Sequence, residues 1–225
     1  MCDAIRAQAR KAAALAEQYA PGNPEAEARL QREAADEAKA ISHMCDELGL
    51  EMHEINPDGH CLFSAVADQL ALLNILPAAQ ANYTTCRLAA ANYIHSHPDT
   101  FLPFLPSAGG EDAAGATSDT GLMSRAEFDQ YCTTIRDTGT WGGEPEILAL
   151  SSAFNVPIHV VQGGTPPVVI HQPLGSAGQS SVTDKNVAHI SYHRRMYGLG
   201  EHYNSLRLKR SLAEAVKSVF HSPPP

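Results

Sequence analysis

The runs "VPIHVVQ", "PVVIH" and "VAHISYHR" fall between residues 156 and 194 and are separated by turn residues. They read as strands. "GEHYNSLRL", residues 200–208, reads as a short final strand entered through glycine. Upstream the period is helical. A chain that collects its strands late and its helices early must build a sheet and cover it with those helices, so from about residue 50 a mixed α/β domain is expected.

The helical signals are specific. Asn23 and Pro24 open a helix after the break "APGNPE". Leu30, Ala34, Ala38, Ile41, Met44 and Leu48 then recur at steps of three or four, and Gly49 ends the run. A second helix is expected from Cys61 to about Asn74. A third runs from about Thr84 to His95, with Cys86, Ala89, Ala90, Tyr93 and Ile94 inward. Ser124 and Glu127 form a capping box for a helix carrying Phe128, Tyr131, Cys132 and Ile135. Pro145 opens another through Phe154. Residues 1–20 and "KRSLAEAVKSVF" also read as helices, with a frayed tail, and the Gly/Ala/Ser-rich stretch near residues 107–121 as a long flexible loop. This divides the chain into a helical extension (1–49), a central domain (50–208) and a C-terminal helix and tail (209–225). The stripe before Gly49 either packs on the domain or offers a surface to a helical partner through residues 1–48.

Composition narrows the function. The chain has 225 residues, 44% of them hydrophobic, and a formal charge of -9. That balance argues against nucleic acid as a partner, which demands Lys and Arg. The five cysteines are odd in number, with no C-x-x-C pair. A disulfide framework or Cys-rich zinc site is therefore not expected, and a reducing, cytoplasmic setting is. There is no apolar run of signal-peptide type and none that spans a bilayer, so no membrane partner is expected.

Cys61 stands where a polar, Gly-bearing turn becomes an apolar helix, in "INPDGHCLFSAVADQL". Most free cysteines are buried and inert, and Cys45, Cys86 and Cys132 fit that pattern. Cys61 differs, because a helix N-terminus and a nearby histidine both favour thiolate. Gly59 and His60 belong to the same turn, and the backbone N–H groups from Asp58 through Cys61 are candidates for an oxyanion hole. Among eleven histidines, His95 and His97 suit a helix end. His159, His171, His189 and His193 suit ordinary strand positions. His202 lies just past two glycines, with Asn204 two residues on and therefore on the same face of a strand. Cys61, His202 and Asn204 then have the roles of nucleophile, base and orienter.

"DGHCLF", "TGTWGGEPEILALS", "VPIHVV" and "YGLGEHYNSL", in that order, resemble the ovarian-tumour (OTU) domain deubiquitinating cysteine proteases. The helical extension resembles the subgroup with a coiled-coil-like segment before the domain. The resemblance implies an α/β (α+β) fold with a central mixed or antiparallel sheet flanked by helices. It implies Cys61 as nucleophile, His202 as general base, Asn204 as orienter and Asp58 as the acidic residue shaping the oxyanion region. It also implies a Cys loop at 55–61, a variable loop between about 103 and 142, and a His loop at 194–202. Ubiquitin or polyubiquitin is the implied partner, with no metal or organic cofactor. Trp141, Gly142, Glu144, Gly200 and Glu201 are candidates to contact ubiquitin's tail. For Trp141 a role pinning its turn onto the core is favoured, and for Glu144 and Glu146 helix capping is the simpler role. The alternatives are a catalytically silent ubiquitin-binding scaffold and a protease for another ubiquitin-like modifier.

Overall fold

The computed structural model describes residues 24–105 and 123–209, apart from 177, 179, 183, 185, 198 and 199, and leaves out the side chains of 196 and 197. The elements expected over residues 1–20, the loop near 107–121 and nearly all of the C-terminal helix lie outside these residues. In chain order the elements are α1 (Pro24–Leu48), β1 (Leu50–His53), α2 (Cys61–Leu72), α3 (Tyr83–Ser96), α4 (Pro98–Phe101), a 3-10 turn (Leu102–Phe104), α5 (Arg125–Asp137), α6 (Glu144–Phe154), β2 (Ile158–Gln162), β3 (Val168–His171), β4 (Ala188–Tyr197) and β5 (Gly200–Leu208).

The strands form one five-stranded sheet in the order β1-β5-β4-β2-β3. β2 and β4 are parallel, and the other neighbours are antiparallel. The final strand is not short: it runs nine residues between β1 and β4. β1 was not legible, because "LEMH" has four residues and finds its partner in Ser205–Leu208 at the far end of the chain.

Side chains alternate across the sheet, and each face has its own cover. Val160, Ile190 and Tyr203 join the main core with α2, α3, α5 and α6. Val161 and Leu206 face the other way and pack with Ile41 and Cys45 of α1 and with Leu50. The stripe of α1 is thus covered by the sheet in its C-terminal half, at Ile41, Met44, Cys45 and Leu48, while Leu30, Ala34 and Ala38 are half-buried. The ends of the helices follow their sequence signals. Gly49 adopts φ +66° after α1. The Ser124–Glu127 capping box is formed. Glu146 reaches back from the first turn of α6 to accept the Gly143 N–H at 2.7 Å. No helix among the described residues is long and apolar enough to cross a membrane.

If α1 is part of the core, Ile41→Ala should lower the unfolding free energy by about 2–4 kcal/mol in urea titration. A loss below about 0.5 kcal/mol, the usual size of a surface change, would show that α1 does not share the sheet's cooperativity.

Candidate active site

Asp58 builds the turn that leads into α2. Its Oδ1 accepts the His60 N–H at 2.7 Å, and its carbonyl accepts the Cys61 N–H at 3.3 Å. Its own N–H donates to the Asn56 carbonyl at 2.9 Å. Such local bonding is what a short acidic side chain does in a turn. The N–H groups expected to converge on an oxyanion are therefore directed, at Asp58, His60 and Cys61, into the loop itself. Gly59 is required for another reason. A Cβ there would lie 1.8 Å from the carbonyl oxygen of Gly139, so two backbones meet where no side chain fits.

Arg87 locks this turn to its surroundings. It is 1% exposed, and every donor group has a partner. Nε donates to His60 Nδ1 at 2.9 Å, Nη1 to the Ile135 carbonyl at 2.8 Å, and Nη2 to the carbonyls of Gly59 at 2.6 Å and Thr140 at 2.8 Å. The guanidinium carbon lies 4.1 Å from the centre of the Phe63 ring. A guanidinium cannot accept, so His60 Nδ1 is the acceptor and its ring is held out of any catalytic role, stacked on Tyr83 at 4.1 Å. Arg87 was missed in the sequence. Its signal was a lone cation three and seven residues before the inward-facing Ala90 and Ile94.

Cys61 opens α2. The helix has no acidic residue in its first turn and no side-chain cap, so the positive end of its dipole favours negative charge at the thiol. Burial nevertheless dominates and pushes the thiol above its ordinary value, while backbone hydrogen bonding at Tyr203, Leu62 and Cys61 itself pulls it back. The contact with Tyr203 sets the thiol beside the residue that lies between His202 and Asn204.

One amide fixes the histidine. Asn204 is buried, and its Oδ1 accepts the Ile55 N–H at 2.8 Å. A backbone N–H can only donate, so the amide must present oxygen on this side. The same Oδ1 lies 3.0 Å from His202 Nε2. That nitrogen therefore carries the proton, and in the neutral ring Nδ1 keeps its lone pair. The amide nitrogen donates to Met52 Sδ at 3.4 Å. Burial lowers the His202 pKa below the ordinary 6.5, against the opposing effects of Asn204, the Ile55 backbone, Asp58 and Glu54. Burial thus acts in opposite directions on the two groups, raising the thiol and lowering the imidazole, and in both cases it disfavours the charged form.

A groove beside the pair is lined by Asp58 and Gly59 on one side, by Trp141, and by Gly200, Glu201 and His202 on the other. Trp141 is 53% exposed, and a Cβ on Gly200 would lie 3.1 Å from its ring. It stands in the groove wall rather than pinning its turn to the core, because Arg87 already holds that turn through Thr140. Gly142 and Glu144 are not among the lining residues. A Cβ on Gly142 would lie 2.7 Å from Leu62 Cδ2, which makes it a packing position, and Glu144 is exposed at the start of α6. Cys61 is 7% exposed and is not among the residues that line the groove, which runs past the turn just before it.

The remaining described cysteines are free and buried. Burial pushes Cys86 up to about 12 and Cys132 up to about 11. His159, His189 and His193 are buried on strands, with pKa values lowered chiefly by burial. No group of three or more His, Cys, Asp or Glu among the described residues is arranged to hold a metal.

A cysteine at a helix N-terminus, set against a strand that carries a hydrogen-bonded His–Asn pair, is the arrangement of a cysteine protease domain. A family model described as OTU-like cysteine protease matches residues 56–203, and the chain belongs to that family. It is 34% identical over 172 residues to deubiquitinase OTUD6B of Gallus gallus, covering 76% of this chain and 50% of that protein. It is 32% identical over 172 residues to OTU domain-containing protein 2 of Saccharomyces cerevisiae, covering 76% and 49%. The chain thus spans about half the length of these curated relatives. The solved OTUD1 OTU domain shares the fold, with a TM-score of 0.53 and 20% identity over 77% of this chain and 96% of that one.

Two outcomes follow from the geometry. Arg87→Lys keeps the charge but loses the fork, and should cost about 1–3 kcal/mol in urea titration, with faster amide exchange at Gly59–Cys61; unchanged stability and exchange would contradict the role given to Arg87. Alkylation of Cys61 by iodoacetamide, followed by peptide mass spectrometry, should keep rising with pH through 9.0, the thiol's ordinary value. A plateau already reached below pH 7 would reveal a resting thiolate–imidazolium pair instead.

Proposed function

We propose that this chain is a deubiquitinase, a cysteine-type isopeptidase that cleaves after the C-terminal glycine of ubiquitin with Cys61, His202 and Asn204. Membership of the OTU-like cysteine proteases and the deubiquitinase name of the Gallus gallus relative support the reaction class. The observation that carries the assignment of residues is the Asn204 amide. Its Oδ1 takes both the Ile55 N–H and His202 Nε2–H, leaving Nδ1 as a base on the strand whose backbone at Tyr203 contacts Cys61.

In this reading ubiquitin's tail enters the groove between Trp141 and the turn at Asp58–Gly59, where a narrow channel admits glycine and excludes side chains. His202 Nδ1 takes the Cys61 proton as sulfur attacks the isopeptide carbonyl carbon. The C=O π electrons move to oxygen, and the oxyanion is stabilised by the N-terminus of α2 together with Cys-loop N–H groups freed as the turn opens. Collapse breaks the C–N bond, and the imidazolium returns the proton to the leaving lysine amine. A thioester between Cys61 and ubiquitin remains. His202 then deprotonates water, which attacks the thioester carbonyl, and the Cys61 thiol is regenerated with release of ubiquitin's carboxylate. Asn204 holds the ring throughout and stabilises the imidazolium when it forms.

Hydrolysis of a fluorogenic ubiquitin C-terminal amide tests this. Cys61→Ala should fall to background, and His202→Ala should lose about 10²–10⁴-fold in kcat. Because burial lowers the His202 pKa, its base form persists below pH 6.5. The acid limb of kcat/KM should therefore lie below that value, with activity lost only as the pH falls through the lowered pKa of His202. Wild-type protein that binds ubiquitin without turnover would favour the silent scaffold. Turnover confined to another ubiquitin-like modifier would move the substrate but keep the chemistry.

A further inference from the structure

We propose that Glu37, on α1 and outside the segment matched by the family, is a positioning residue that aims the strand carrying His202. The proposal rests on the catalytic reading of His202 given above. Oε1 of Glu37 accepts the N–H of Arg194 at 2.9 Å, and Oε2 accepts the N–H of Arg195 at 2.9 Å. Successive N–H groups of a regular strand point to opposite sides. Two that converge on one carboxylate mark a bulge, and the β4–β5 register does shift between His193 and Tyr197. The shift begins at the residue paired with His202, because His193 lies directly opposite it.

A carboxylate is the side chain that meets two adjacent donors with two charged acceptors. Glu37 is also held in place. A Cβ on Gly163, in the β2–β3 connection, would lie 2.8 Å from its Cγ and 3.1 Å from its Cα, so the connection presses directly on the helix there. One turn on, Ile41 and then Cys45 anchor the helix on Val161, Leu50 and Leu206. Glu33 reaches the same segment differently, through an ion pair with the Arg195 side chain at 3.4 Å, with both partners more than a third exposed. Such a pair contributes little. Without Glu37 the bulge loses its acceptors and its register is free to slip. A slip of one residue turns a strand side chain to the opposite face. The helix before the protease domain is thereby a working part of the active site.

The test measures kcat and KM on the fluorogenic ubiquitin amide with the full chain, together with amide hydrogen exchange at Arg194 and Arg195. Glu37→Ala should lower kcat by about tenfold or more with KM within about twofold, the pattern of a displaced catalytic group. Glu37→Gln, which keeps one acceptor oxygen, should fall between it and wild type, and Glu33→Gln should stay within about twofold of wild type. Exchange at Arg194 and Arg195 should quicken in Glu37→Ala while the circular dichroism signal and melting temperature hold. Unchanged kcat, unchanged exchange, or a kcat loss that only tracks a loss of folded protein would each overturn the proposal. Wild-type protein without turnover would instead overturn the hydrolase reading, and the exchange measurement would still report on the clamp alone.

Discussion

The guanidinium of Arg87 is a charge that the fold has taken out of water, and that single fact organises the site. A buried cation left without acceptors costs several kcal/mol, far more than one loop conformation is worth. The surrounding chain therefore brings oxygen and nitrogen to it: the carbonyls of Gly59, Thr140 and Ile135, and Nδ1 of His60. These groups come from the turn before α2, the loop that bears Trp141 and the end of α5. Satisfying one side chain ties the turn at Gly59 and the loop that bears Trp141 to each other beside the helix that begins at Cys61. The Phe63 ring beneath the guanidinium and the nearby carboxylate of Glu146 complete the arrangement. Glu146 is itself held by Tyr131 and the Gly143 N–H.

Within that frame the site is ordered. Desolvation raises the thiol and lowers the imidazole, disfavouring the charged form of each. The turn consumes its own N–H groups, and the sulfur is almost covered. What is already in place is the orientation of the His202 ring. The Ile55 N–H orients the Asn204 amide, the amide orients the His202 ring, and the lone pair is left on Nδ1.

The sequence disclosed what depends on local order. A polar turn followed by an apolar helix singled out Cys61. A glycine-led strand with residues two apart on one face singled out His202 and Asn204. The capping box at Ser124 was legible from four adjacent positions. Most of the misses are non-local. β1 pairs with a strand more than 150 residues away. Arg87 resembles any surface arginine until its acceptors, from three separate segments, are assembled around it. The direction of the Cys-loop N–H groups depends on where the Asp58 side chain turns, which its spacing to Cys61 does not reveal. Glu37 was hidden among the charges of α1, because its partners are backbone groups in a bulge.

The central claim is that Cys61 is a ubiquitin-directed nucleophile served by this site. The most direct measurement is to expose the purified chain to ubiquitin bearing a thiol-reactive C-terminal electrophile and to locate the adduct by mass spectrometry. The account predicts one ubiquitin per chain, attached at Cys61 and absent from Cys61→Ala. An adduct on Cys45, Cys86 or Cys132, or no adduct under conditions where ubiquitin binds, would contradict it.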